Sequence, residues 1–178
     1  DSVEELATDR TATSTTLTIG GSQQLNADWQ LSIDGTIADY SGTPASGGVD
    51  EIPDPGIEYY ASTQLTGSNV FKENDTLTFA LRYSDSEASS LYMADAFLRF
   101  PVTDDLRVSP RLRLSMRDSK DADRTQYLIM PSIATRYRLN KKWSFDVEVG
   151  ARLEELLTET DATWNLDVLA TAGYRYEF

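Results

Sequence analysis

The chain has 178 residues, with 16 Lys and Arg against 29 Asp and Glu and a formal charge of −13. That length suits one ordinary domain or two very small ones, and that charge argues against a nucleic-acid binder. Cysteine and histidine are both absent, which excludes disulfides, thiolate and imidazole metal sites, Cys nucleophiles and imidazole-dependent catalysis, so no metal, no cofactor and no enzymatic activity is expected.

Residues 1–10 are polar and predict a segment outside the folded strands. Asp1-Ser-Val-Glu-Glu-Leu has neither the basic nor the apolar region of a signal peptide, so either a signal was removed or the chain begins inside a longer precursor. From there the dominant signal has period two, the mark of strands between two unlike environments. A weak, Thr-rich strand is predicted over 11–21, ending at Gly20-Gly21, followed by strands at 28–40, 57–67, 75–84 and 90–100. In the sixth, Leu106, Val108, Pro110, Leu112, Leu114 and Met116 alternate with Arg107, Ser109, Arg111, Arg113, Ser115 and Arg117, placing four arginines on one face. The seventh, 125–139, sets Tyr127, Ile129, Pro131, Ile133, Tyr137 and Leu139 on its apolar side, and the eighth does so with Trp143, Phe145, Val147, Val149, Ala151 and Leu153. The last alternates Trp164, Leu166, Val168, Ala170, Ala172, Tyr174, Tyr176 and Phe178 with a polar or small set.

The connections alternate in kind. Tight polar turns are predicted at Leu25–Trp29, Phe71–Thr76, Pro101–Leu106 and Leu139–Trp143, with looser acidic segments between them, the longest from Ser41 to Gly56. The first and last turns share Leu-Asn-x-x-Trp. Short turns at one end and longer loops at the other describe an up-and-down meander of about nine strands.

Period two alone also fits a soluble sandwich or lipocalin-like barrel. The composition of the faces argues for a membrane barrel. The polar face carries both signs of charge. The apolar face mixes small residues with aromatics near the strand ends, Trp29, Phe100, Tyr137, Trp143, Tyr176 and Phe178 at the tight-turn end and Tyr59, Tyr83, Tyr92, Tyr127 and Trp164 at the other. Two aromatic belts around a plainer band match the two interfaces of a bilayer. The predicted fold is therefore an all-β transmembrane antiparallel up-and-down barrel over 11–178.

The final eight residues resemble the C-terminal assembly signal of Gram-negative outer-membrane β-barrels. Thr171 is the polar residue, Gly173 follows two later, and Tyr176 and Phe178 fill the aromatic positions. The resemblance implies an integral protein of the cell outer membrane, insertion by the barrel assembly machinery, contact with outer-membrane lipid and lipopolysaccharide, tight turns in the periplasm and long loops outside. On that orientation the first predicted strand runs the same way as the last, and residues 1–10 are expected to be an extracellular segment. Three explanations stay open: this is the C-terminal portion of a larger barrel completed by an upstream fragment or another polypeptide, it closes with a parallel seam, or one strand is misassigned. A larger barrel is loosely similar to the C-terminal barrels of tetratricopeptide-containing outer-membrane exporters.

The face opposite the apolar one is the expected lumen lining. It includes Arg99, Arg107, Arg111, Arg113, Arg117, Arg136, Arg138 and Arg152, with Asp95, Asp146 and Glu148. An arginine-biased lumen favours anions, so the expected function is a channel for transport or export of anionic solutes or polysaccharide. The competing reading is a non-conducting structural barrel that anchors or assembles with partners. Lumen charges also pair across strands, and the tight turns are expected to set Arg136 opposite Asp146 and Arg111 opposite Asp95. Acidic clusters at Asp50–Asp54, Asp118–Asp123, Glu154-Glu155 and Glu159 are assigned to the outer loops, where they lack calcium-loop spacing. Asp146 and Glu148 are spaced like a glycosidase pair, but arginine neighbours would keep both ionised.

Overall fold

Nine stretches of alternating apolar and polar residues become nine strands in the computed structural model, which describes residues 3, 7, 11–158 and 161–177. They are β1 (Ser14–Gln24), β2 (Trp29–Tyr40), β3 (Gly56–Ser68), β4 (Thr76–Asp85), β5 (Ser89–Pro101), β6 (Leu106–Ser119), β7 (Arg124–Arg138), β8 (Trp143–Thr158) and β9 (Ala162–Tyr176). All pair antiparallel with their sequence neighbours in one sheet of order β1-β2-β3-β4-β5-β6-β7-β8-β9. The sheet is open: β1 and β9 are its two edges and are not paired with each other. No helix among the described residues is long and apolar enough to cross a membrane.

The predicted strands 28–40 to 125–139 match within two residues at either end. Two assignments need correction. The first strand lies three residues later than expected and runs through Gly20-Gly21, which pair with Asp34 and Ile33. A Cβ on Gly20 would stand 3.0 Å from the Cβ of Asp34, so this glycine permits close approach of β2 where the strand had been expected to end. The eighth strand extends to Thr158, which takes Glu154 and Glu155 out of the loop and into the sheet. Asp118 is likewise in β6, whereas Glu159 lies outside the described residues.

Register keeps the two faces separate across the entire sheet, because residues directly opposite in an antiparallel pair point the same way. Leu112 faces Ala96 and Pro131, Ile133 faces Pro110 and Val149, and Val149 faces Ala170. The opposite face has Asp95 beside Arg113 and Arg136 beside Asp146. The apolar side chains do not pack into a core. Among the described residues the only buried apolar ones are Ala38 and Ala80, both on the polar face, while Val168 on the apolar face is 72% exposed. Polar-face residues from β5 through β9 line a common hollow of about 540 Å³, and a hollow of about 720 Å³ spans β2 through β7, lined largely by apolar-face residues such as Ile33, Leu81, Tyr92 and Leu114.

Three of the tight turns share one construction. Leu25 and Asn26 donate their backbone N–H to the Trp29 carbonyl at 2.8 and 3.4 Å, and Leu139 and Asn140 do the same to Trp143 at 3.0 and 3.4 Å. Inside each, the Asn side-chain oxygen accepts the N–H of the fourth and fifth turn residues: Asn26 from Asp28 and Trp29, Asn140 from Lys142 and Trp143. Between β5 and β6 Thr103 takes the Asn role, accepting from Asp105 and Leu106 at 3.3 and 3.0 Å. Asn140→Ala removes the acceptor of two N–H groups in an exposed turn and is expected to cost about 1 kcal/mol. Asn140→Thr, mimicking the third turn, is expected to recover part of that. Equilibrium urea unfolding of the folded protein checks both.

Candidate functional site: the cationic concave face

Every arginine assigned to the lining from sequence stands on the polar face: Arg99 on β5, Arg107, Arg111, Arg113 and Arg117 on β6, Arg136 and Arg138 on β7, Arg152 on β8. Asp95, Asp146 and Glu148 share that face. The structure does not bring them all into one constellation. Four ion-paired groups and one row of poorly neutralised arginines result.

In the first group Asp95 accepts from both Arg111 and Arg113, at 2.7 and 2.9 Å. The register differs from expectation by two residues: Asp95 is opposite Arg113, and Arg111 reaches it diagonally from opposite Phe97. One carboxylate between two guanidiniums leaves a unit of positive charge. In the second, Arg136 and Asp146 are register partners and pair at 2.6 Å, as the Leu139–Trp143 turn dictates. In the third, Arg152 binds Glu154 at 2.6 Å, and Glu154 also accepts from Gln126. Arg138 pairs instead with Asp105 of the β5–β6 turn at 3.0 Å.

The row lies at the tight-turn end. Arg107 is the register partner of Arg136, a like-charge pair directly opposite, which is destabilising. Arg99 sits opposite Thr76 on its other side. Arg99, Arg107 and Arg175 have no ion pair among the described residues. Arg99, Arg107 and Arg136 line two adjoining hollows: the one of about 540 Å³, with Phe97, Ser109, Thr135 and Glu148, and one of about 670 Å³ at the mouth, with Lys72, Arg138 and Arg175.

Two features escaped the sequence reading. Lys72 joins the row from the β3–β4 turn, and no local spacing announces that meeting. The second was visible as an absence: no Lys or Arg occurs between Thr11 and Phe71. The polar face of β1–β3 is consequently a wall of Ser, Thr, Gln and Tyr with two acids, Asp34 and Glu58, and hydroxyl contacts such as Thr18 to Thr36 at 2.9 Å and Ser62 to Asp34 at 2.6 Å. All the cations of that face stand on β4–β9.

At the other end of the sheet Lys120, in the β6–β7 turn, bonds Asp85 at 2.9 Å and the Ser86 carbonyl at 2.7 Å. The Asp85 carboxylate raises its pKa above the ordinary lysine value. Asp85 and Lys120 thereby tie the β4–β5 turn to the β6–β7 turn. Of the residues likened to an assembly signal, Thr171 and Gly173 face the polar side beside Glu148 and Asp146. Tyr176 is on the apolar side against the Trp143 ring, centroids 4.8 Å apart. Phe178 lies outside the described residues.

The aromatic ends of the apolar face are ordered by register. Tyr83, Tyr92, Met116, Tyr127, Glu155 and Trp164 are successive partners across β4 to β9, and the Tyr83 and Tyr92 rings meet tilted by 40°, centroids 4.9 Å apart. At the opposite end Trp143 gathers Phe145, Tyr174 and Tyr176. No cluster of three or more His, Cys, Asp or Glu side chains suited to a metal ion occurs among the described residues. Compared with known protein families and with curated proteins, the chain matches none.

Proposed function

We propose that the nine strands form part of the wall of a transmembrane β-barrel in a Gram-negative outer membrane, and that the polar face lines a passage for transport or export favouring anions. One observation carries this reading. The large apolar side chains of every strand stand exposed on one face, and nearly all the charged strand residues stand on the other. An apolar surface of that extent needs a cover, and lipid is the cover that also accounts for the aromatic rows at both strand ends. Strands of 10 to 16 residues reach across a hydrocarbon layer when tilted.

Lipid also constrains the edges. In hydrocarbon the unpaired N–H and C=O groups of β1 and β9 must be satisfied. With nine alternating strands these edges run in the same direction, so they either meet in a parallel seam or pair with further strands from an upstream segment or another polypeptide. The partners are then outer-membrane lipid, lipopolysaccharide, the assembly machinery and those strands.

The passage is favoured over a closed structural barrel by charge left over after pairing, because Asp95 cannot neutralise both Arg111 and Arg113. Reconstituted into a planar bilayer, the protein is expected to conduct with anion preference. Arg111→Gln, Arg113→Gln and Arg117→Gln together are expected to shift the reversal potential toward cations. A protein that inserts yet stays electrically silent would establish the anchoring reading, in which the Arg111–Asp95–Arg113 group is a strut.

A further inference from the structure

We propose that the hollow at the tight-turn mouth of the polar face is a binding station for multivalent oxyanions, molecules bearing several carboxylate or phosphate groups. It rests on the reading of that face as the lining of a passage. Six cations, Lys72, Arg99, Arg107, Arg136, Arg138 and Arg175, line the hollow together with only three acids, Glu73, Asp104 and Asp105. Asp146 neutralises Arg136 from the adjoining hollow, so the mouth keeps two positive charges in excess. This occurs in a chain of net charge −13. With nearly two acids for every base, a shortage of carboxylates is not the cause.

The Arg107 and Arg136 contact sharpens the point. Opposed like charges cost stability in a sheet, and a single Asp or Glu in place of Arg107 would turn that cost into a cross-strand ion pair. Elsewhere on this face the chain has made that choice, at Asp95, Asp146 and Glu154. Uncompensated guanidiniums that converge on one hollow are what a planar, bidentate oxyanion acceptor requires. The volume, about 670 Å³, lies within the range of small-ligand sites. The adjoining hollow shares Arg99, Arg107 and Arg136 and adds Ser109 and Phe97 beside Asp146 and Glu148, so a longer anion could be passed inward along the same arginines. Arginine holds its charge at any physiological pH, and the station is therefore insensitive to protonation.

The test is calorimetric titration of the folded, detergent-solubilised protein with inorganic tripolyphosphate and, separately, with propane-1,2,3-tricarboxylate, at low and high salt. Saturable, salt-sensitive binding of at least one probe is expected. A preference for tripolyphosphate assigns phosphate groups to the ligand, and the reverse preference assigns carboxylates. Arg99→Gln, Arg107→Gln and Arg175→Gln are each expected to weaken binding about tenfold, with Lys141→Gln, in the neighbouring turn, as the unaffected control. Arg107→Gln alone is expected to weaken binding while raising resistance to urea, a combination that a merely structural arginine does not produce. No saturable binding of either probe by protein verified as folded overturns the station, as does unchanged affinity in Arg107→Gln. Anion-selective conductance without binding sinks the station and leaves the passage standing; binding with a silent bilayer does the converse.

Discussion

Ile133→Arg is expected to destabilise the folded protein in a phospholipid bilayer by about 2–4 kcal/mol, while Ala134→Arg, one residue along the same strand, changes stability by less than about 1 kcal/mol. The two positions differ only in face. Ile133 lies between Pro110 and Val149 on the apolar side of β7, about midway between Tyr127 and Tyr137, and is 49% exposed. A guanidinium there would sit near the midplane of the hydrocarbon, where water cannot solvate it and no carboxylate stands within its rows. Ala134 lies between Ser109 and Glu148 on the polar side, so an arginine there gains a carboxylate neighbour. Urea unfolding in lipid vesicles, followed by the emission of the three tryptophans, measures both. Equal tolerance of the two substitutions would mean that the apolar face does not meet lipid. The same pair separates a membrane wall from a soluble sandwich, because in a sandwich the apolar faces pack against a second layer of side chains, and none is present among the described residues.

The contrast between these neighbours explains why so much of the sheet was legible from sequence. Period two is a local property, and a slip of one residue would have exchanged the faces of an entire strand. The turns were legible where their chemistry was local, as with Leu25-Asn-Ala-Asp-Trp29 and Leu139-Asn-Lys-Lys-Trp143. The third, at Val102-Thr-Asp-Asp-Leu106, was predicted as a tight turn too, but its likeness to the other two was hidden because a hydroxyl replaces the amide as acceptor. Gly20-Gly21 misled because glycine marks both a turn and a close approach between strands. Glu154-Glu155 misled because charge was read as loop, although Gln126 and Arg152 make Glu154 a sheet residue.

Ion pairs followed the same division. Arg136 and Asp146 flank a tight turn, so counting back from it fixes their register. Asp95 chooses between Arg111 and Arg113 by side-chain reach, which counting cannot supply, and it takes both. The mouth of the polar face is assembled from the β3–β4 turn, β5, β6, β7 and β9, segments that only the completed sheet brings together. Whether those strands belong to a closed barrel is set by what pairs with the β1 and β9 edges.

Asp75→Ala is expected to have the larger effect on assembly, abolishing the ordered β3–β4 turn and with it the hairpin that carries Lys72 to the mouth. Asp75 is 1% exposed. One carboxylate oxygen accepts the N–H of Val70 at 2.7 Å, and the other accepts those of Phe71 and Lys72 at 2.7 and 2.8 Å. Around this knot Asn74 donates its N–H to the Asn69 side chain at 2.7 Å, and both asparagines take positive φ, 67° and 58°. Alanine would leave three N–H groups without an acceptor in a turn too tight to turn them outward, whereas Asp75→Asn keeps one acceptor oxygen and should be intermediate. Burial alone would raise the Asp75 pKa, but the three N–H donors outweigh it and hold the carboxyl below its ordinary value. The sign follows: a carboxylate with a depressed folded-state pKa contributes stability above its unfolded pKa and loses it as pH falls through the folded one. Wild type should therefore exceed Asp75→Ala in urea resistance at neutral pH and at pH 5, and the gap should narrow only below the ordinary carboxylate range. A gap that closes well above that range would mean that the ionised carboxylate does not hold the turn.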